Sequence, residues 1–227
     1  MDKKLDLTGK KVLVVGSGIS GVAAAELLKK KGNEILLFDG NKELDVETLK
    51  KKAPVFSDVE IILGTLKDGD LEQVDLAVLS PGVPTDIPMV EQIGEKDIPI
   101  WGEIELAYYF AKGPVAAITG TNGKTTTTAL TGEIMANYFK DVRVVGNIGI
   151  PYTSVAADTT EETVTVAEIS SFQLETIHEF HPKVSAILNI TPDHLNRHHT
   201  MECYIQTKES ITKNQSPEEV CVLNYED

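Results

Sequence analysis

The sequence predicts an α/β protein, on three observations. Short runs rich in Val and Ile alternate with amphipathic stretches along the first hundred residues or so. That rhythm suits strands buried on both faces of a parallel sheet and joined by right-handed crossovers. A glycine turn, Gly16-Ser17-Gly18-Ile19-Ser20-Gly21, follows the first of these runs, and a second, Gly120-Thr121-Asn122-Gly123-Lys124-Thr125-Thr126, opens a later helical stretch. Together they point to a Rossmann-like, doubly wound sheet followed by a P-loop-type α/β domain.

In the first half, strands are expected at Val12–Val15, Ile35–Phe38, Val59–Leu63, Leu76–Leu79 and Ile98–Trp101. Helices are expected over Gly21–Lys31, Glu43–Lys52, Pro88–Lys96 and Glu103–Ala111. The first helix carries Val22, Leu27 and Leu28 on one stripe and ends in Lys29, Lys30, Lys31 and Gly32; cations in the last turn followed by glycine stop a helix. Lys112-Gly113-Pro114 then interrupts the pattern, which places a boundary near Lys112 and domains over 1–112 and 113–227. In the second domain, strands are expected at Val115–Ile118, Val142–Val145, Val164–Ala167, Val184–Asn189 and Val220–Leu223, with helices over Thr125–Phe139 and Met201–Lys213. The sequence stops at Asn224-Tyr225-Glu226-Asp227, just after a strand, so the second domain is expected to be incomplete.

Composition narrows the function. The chain has 35 acidic and 21 basic residues, a net charge of −14, which repels nucleic acid and anionic membranes. An anionic ligand must then be captured by local loops. No apolar run approaches the roughly eighteen residues of a membrane span, and MDKKLDLTGK lacks the apolar core of a secretory signal. Cys203 and Cys221 have no metal-ligand spacing and suggest buried or idle thiols in a reducing cytosol.

Each glycine turn has a chemical reading. In the later one, a strand-to-helix turn aims backbone N–H groups and a helix N-terminus at one point, where phosphate binds. Lys124 adds charge for the β- and γ-phosphates, and the Thr125 hydroxyl suits Mg²⁺. The general G-x-x-x-x-G-K-[ST] pattern fails by one residue, because Ile118 stands at its first position. In the earlier turn, the G-x-G-x-x-G spacing with Asp39 ending the next strand is the dinucleotide fingerprint. Taken by itself it reads as an NAD-dependent oxidoreductase. Two phosphate-binding turns in tandem point instead to two nucleotides: a nucleoside diphosphate on a substrate, and ATP.

Three further features carry polar groups. Glu168 closes a strand, where it either completes a Mg²⁺ shell begun by Thr125 or caps the following helix. Asp193 and His194 lie at another strand's exit, and His194, His198 and His199 fall within six residues. His194 and His198 at i and i+4, with Cys203 nearby, allow a rival zinc hydrolase, although the glutamate of H-E-x-x-H is missing. Lys208, on an amphipathic helix, reads by itself as a solvated surface charge.

The strings VAAITGTNGKTTT, GNIGIP, AEISSFQLE and NITPDHLNRH, in this order behind GSGISG, closely resemble the Mur ligases of peptidoglycan synthesis. Within that family they resemble the branch that adds D-glutamate to UDP-N-acetylmuramoyl-L-alanine. The resemblance runs from KKVLVVGSGISG to VCVLNYED; the phosphate loop is shared with folylpolyglutamate synthases, whereas EISSFQLE and the GSGISG domain discriminate. It implies that Gly120, Thr121, Asn122, Gly123, Lys124, Thr125 and Thr126 hold ATP, with Lys124 on the transferred phosphoryl group. It further implies Thr125 and Glu168 on one Mg²⁺, and His194 and a carbamylated Lys208 on a second. The UDP-sugar falls to the backbone of Ile19 and Ser20, to Asp39 at the uracil, and to Gly82 and Asn147. Gly40 stands where a hydroxyl residue is expected beside Asp39, and the segment between His194 and Lys208 is one residue short of the family pattern. The implied protein is a monomeric enzyme of the bacterial cytoplasm that forms an acyl phosphate with ATP and then an amide with D-glutamate. A third domain carrying the D-glutamate site is expected beyond residue 227, so the alternative for this chain is a non-catalytic module that binds the UDP-substrate.

Overall fold

The computed structural model describes residues 6–226. Met1–Leu5, half of the stretch read as non-secretory, and Asp227 lie outside the described residues. The chain divides into two compact units, Met1–Glu103 and Ile104–Asp227.

The first unit is a five-stranded parallel sheet. In chain order its elements are β1 (Lys11–Val15), α1 (Ile19–Lys30), β2 (Glu34–Asp39), α2 (Val46–Lys52), β3 (Glu60–Leu63), β4 (Leu76–Leu79), α3 (Pro88–Gly94) and β5 (Ile100–Gly102). The strand order β3-β2-β1-β4-β5 makes the chain wind outward from β1 to one edge and then return to β1's other side. Val12 to Val15 and Leu76 to Leu79 are buried without interruption, as expected for strands covered on both faces. One face closes over Leu13, Leu36, Phe38, Ala77 and Leu79 with Val90 and Ile93 of α3; α1 lies against β1 and β2 on buried Ala24, Leu27 and Leu28. Each such aliphatic side chain contributes about 1.5–3 kcal/mol by leaving water. α2 begins at Val46, later than the expected Glu43, because Asp45 caps it, accepting from the Thr48 N–H at 2.8 Å.

α4 (Glu103–Phe110) joins the units. The division falls before the Lys112 boundary expected from the sequence, for a reason local to α4. Glu105 is buried and accepts hydrogen bonds from three consecutive amides of the second unit, His178 and Glu179 at 2.8 Å and Phe180 at 3.0 Å. Tyr108 adds an edge-to-face contact with Phe180. The Gly-Pro break at Gly113-Pro114 therefore marks the start of a strand, not the edge of a unit.

The second unit continues with β6 (Val115–Thr119), α5 (Lys124–Ala136), β7 (Val142–Gly146), α6 (Thr153–Ala156), β8 (Val164–Glu168), α7 (Ser171–Leu174), β9 (Val184–Ile187), α8 (Leu195–His198), α9 (Met201–Glu209) and β10 (Val220–Leu223). Its sheet is also all parallel, in the order β10-β9-β6-β8-β7. β9 ends two residues before the expected Asn189: Leu188 N–H still donates to the Thr119 carbonyl at the end of β6, while the Asn189 carbonyl accepts from Thr121 N–H in the β6–α5 loop. α9 gives way to a 3₁₀ turn over Ser210–Thr212 in place of a helix running to Lys213. β10, at the sheet edge, is exposed along its whole length, unlike the strands of the first sheet.

Candidate functional site

In the first unit a cavity of about 480 Å³ opens at the carboxyl ends of β1 to β4, where the strand order reverses and ligands of open α/β sheets bind. Gly16, Ser17, Asp39, Gly40, Gly64 and Gly82 line its polar side, and Val83, Ile87 and Met89 its apolar wall. The turn after β1 is tight because α1 presses on it: a Cβ at Gly21 would lie 1.8 Å from the Gly16 carbonyl oxygen. Asp39 ties β2 to this turn. One carboxylate oxygen accepts from Ser17 N–H at 2.9 Å and Ser17 Oγ at 2.6 Å, and the other from Asn41 N–H at 3.0 Å. Burial acts to raise the Asp39 pKa, but these hydrogen bonds outweigh it and hold the carboxyl below its usual range. Ser80 Oγ, on the cavity wall, is buried with no protein hydrogen-bond partner, so a polar ligand atom fits there. Gly40 leaves open space beside Asp39 in place of a hydroxyl. Ile19 and Ser20 are not among the lining residues; they form the first turn of α1, which leaves backbone amides for an anion.

In the second unit the predicted phosphate residues gather at the carboxyl ends of β6, β8 and β9. Gly123, at φ +80°, turns the loop into α5, so that Lys124 and Thr125 fall in the first helical turn. Lys124 Nζ lies over the loop, donating to the Gly120 and Thr121 carbonyls at 2.9 and 2.8 Å. Thr125 Oγ1 donates to Glu168 Oε2 at 2.8 Å, and Asn147 Nδ2 to Glu168 Oε1 at 2.7 Å. The Glu168 side chain therefore faces Thr125 and Asn147, a hard-oxygen pair with the hydroxyl that suits Mg²⁺. Asn147, expected at a diphosphate, is held on this carboxylate by its amide, and its backbone N–H bonds the Glu168 carbonyl at 2.9 Å.

Lys208 is the largest departure from what its position on a helix suggests. It is only 1% exposed, and its Nζ donates to the Gly120 carbonyl at 2.8 Å while lying 4.8 Å from the centre of the Tyr204 ring. Burial, then the charge of Lys124, lowers its pKa to about 8, with Asp193 opposing.

His194 occupies a left-handed backbone conformation, at φ 51°, ahead of α8. Its half-exposed ring rests 4.9 Å from that of Phe172, on α7. Arg197 covers the same Phe172 ring at 4.8 Å and pairs with Glu175, Nη2 to Oε2 at 2.6 Å. His198 is buried against Ser171 Oγ at 2.9 Å, and burial pushes its pKa down, with Glu175 opposing. His198 is thus engaged by Ser171, and Cys203 is exposed on α9. The zinc trio is not assembled, and no group of three His, Cys, Asp or Glu side chains arranged for a metal occurs among the described residues. Sequence reasoning assigned no role to Asn189, Tyr204, Glu175 or Arg197; nothing in their spacing marks partners that only the fold brings near.

The chain matches the Mur ligase middle domain over residues 118–227 and the MurD-like N-terminal domain of Mur ligases over residues 10–102. UDP-N-acetylmuramoylalanine–D-glutamate ligases of Lachnoclostridium phytofermentans and Clostridioides difficile are 59% and 48% identical to it, each over 98% of this chain and 49% of the relative. The chain thus spans about half the length of the curated relatives it matches. The fold is shared with UDP-N-acetylmuramate-alanine ligase MurC of Thermotoga maritima, at TM-score 0.54 and 23% identity over 96% of this chain and 49% of that one. It is shared too with the UDP-N-acetylmuramate:L-alanyl-gamma-D-glutamyl-meso-diaminopimelate ligase of Neisseria meningitides, at 0.59 and 15% over 96% and 72%.

Proposed function

Because the chain belongs to the Mur ligase family, with a MurD-like N-terminal domain and a Mur ligase middle domain, we propose that it is the substrate- and ATP-binding portion of an enzyme adding D-glutamate to UDP-N-acetylmuramoyl-L-alanine in the bacterial cytoplasm. The observation that carries this reading is the meeting of Lys124, Thr125, Glu168 and Lys208 around one glycine loop, supplied by elements far apart in sequence. No helix among the described residues is long and apolar enough to cross a membrane.

The first unit takes the UDP moiety. The first-turn amides of α1 face the diphosphate, the cavity beside Asp39 and Gly82 receives the nucleoside, and Ser80 Oγ supplies a free polar group. In the second unit the loop from Gly120 to Thr126 holds the triphosphate of ATP. Lys124 exchanges its loop carbonyls for phosphoryl oxygens and stabilises the charge spreading over the transferred group. The alanyl carboxylate attacks the γ-phosphorus and ADP leaves. The amine of D-glutamate then attacks the acyl carbon of the mixed anhydride, and phosphate departs with the amide formed.

Thr125 and Glu168 would hold one Mg²⁺, which would supply positive charge to the phosphates of ATP. For a second ion, His194 and Lys208 fit only with Lys208 as an anion, since an ammonium does not ligate a cation. The lowered pKa supports that form. At pH 7.5 about a quarter of Lys208 is the neutral amine, against about a thousandth at an ordinary lysine pKa. The neutral nitrogen attacks CO₂, its N–C bond forms, and one proton is lost to water, leaving a carbamate.

Two measurements test the proposal. In a full-length ligase carrying this sequence, Lys124→Ala should lower kcat about a hundred- to a thousandfold, the scale for one lost electrostatic contact, with UDP-substrate affinity unchanged by calorimetry. Normal turnover by that variant would remove Lys124 from phosphoryl transfer. The 227-residue chain should bind the UDP-substrate, weakly after Asp39→Ala, yet form no amide with ATP and D-glutamate; measurable amide would overturn this division of labour.

A further inference from the structure

The phosphate loop is held in shape from outside itself. Asn189, just beyond β9, lays its carboxamide along Asn122: Oδ1 accepts from the Asn122 N–H at 2.8 Å, and Nδ2 donates to the Asn122 carbonyl at 3.0 Å. The neighbouring backbone extends the clamp. Thr121 N–H donates to the Asn189 carbonyl at 2.8 Å. Thr121 Oγ1 accepts from Thr191 N–H at 3.0 Å and donates to the Thr191 carbonyl at 3.1 Å.

These bonds engage the polar groups of the loop's first half. The amides of Thr121 and Asn122 and the Thr121 hydroxyl are directed at the segment leaving β9, so an anion falls to the second half. There Gly123 turns the chain into α5, whose first amides have no partner four residues back. We infer that Asn189 is a positioning residue for the nucleotide: its carboxamide fixes the loop so that the first turn of α5 and Lys124 are aimed before ATP arrives, without touching ATP itself. The inference rests on the ATP reading of the loop. Asparagine suits the task because it presents a donor and an acceptor in one plane; aspartate presents acceptors only.

A loop released from this clamp must be ordered when the ligand binds, and that cost appears as lost affinity. In a full-length ligase carrying this sequence, Asn189→Ala should raise the KM for ATP roughly tenfold, as expected for two solvent-accessible hydrogen bonds. The kcat should change less and the KM for the UDP-substrate not at all. Asn189→Asp keeps the acceptor for Asn122 N–H but adds a negative charge beside the phosphates, so its KM for ATP should rise further, and less so in high salt. In the nucleotide-free chain, hydrogen exchange at the Asn122 amide should quicken several-fold in Asn189→Ala, with Val166 in β8 unaltered. Unchanged exchange at Asn122, an unchanged KM for ATP, or a parallel rise in the KM for the UDP-substrate would each overturn the assignment. If instead Lys124→Ala turned over normally, the ATP reading would fall, while the exchange measurement would still decide whether Asn189 holds the loop.

Discussion

Replacing Lys208 by Met isolates the cost of its buried ammonium. The unbranched Met side chain, one atom shorter, fills most of the same space beside Tyr204, and the Gly120 carbonyl keeps a donor in Lys124. The folded pKa is about 8, against 10.5 for an ordinary lysine. Below about pH 8 both the folded and unfolded states are protonated, and the fold bears the whole penalty, about 3 kcal/mol. Between about pH 8 and 10.5 the unfolded chain binds the extra proton, so stability rises with pH there; above 10.5 both states are neutral and the penalty is gone. Wild type should therefore gain about 2.5 kcal/mol on Lys208→Met between pH 7 and pH 10. Urea unfolding of both proteins at several pH values in CO₂-free buffer reads this directly. Their difference cancels alkaline titrations remote from the substitution, such as that of Tyr108, whose pKa burial raises. Parallel stability curves would mean a solvated ammonium, and would remove the physical basis for a reactive neutral amine at this position.

Three other outcomes are expected. Lys208→Ala in a full-length ligase carrying this sequence should be nearly inactive and regain part of its rate with short-chain carboxylates; full activity without them would remove Lys208 from the chemistry. Gly21→Ala should destabilise the first unit by about 3 kcal/mol, because the added methyl meets the backbone oxygen of Gly16, and denaturation with calorimetry against the UDP-substrate should show stability and binding lost together. Arg197→Met should cost about 1.5–3 kcal/mol by removing the guanidinium hydrogen bonds to the largely buried Glu175 carboxylate, whereas Glu175→Leu with Arg197→Met should recover part of that; urea midpoints of the two variants decide it.

What the sequence determined by itself is local. Val/Ile runs of strand length, glycines at fixed offsets and a lysine at a helix start are written in consecutive residues, so both parallel sheets and both glycine turns were legible in the sequence. Asp39 and Glu168 were legible too, because a residue ending a buried strand lies at the sheet edge whatever its neighbours are. The tertiary structure alone decided the rest. Lys208 looks like any solvated lysine on α9 until the fold carries it to the Gly120 carbonyl, 88 residues away, where loss of water shifts its protonation. Glu105 and Asn189 likewise gained their meaning from amides 73 and 67 residues distant. Burial and hydrogen-bond partnership depend on what the rest of the chain brings alongside, and neither helical periodicity nor motif spacing records that.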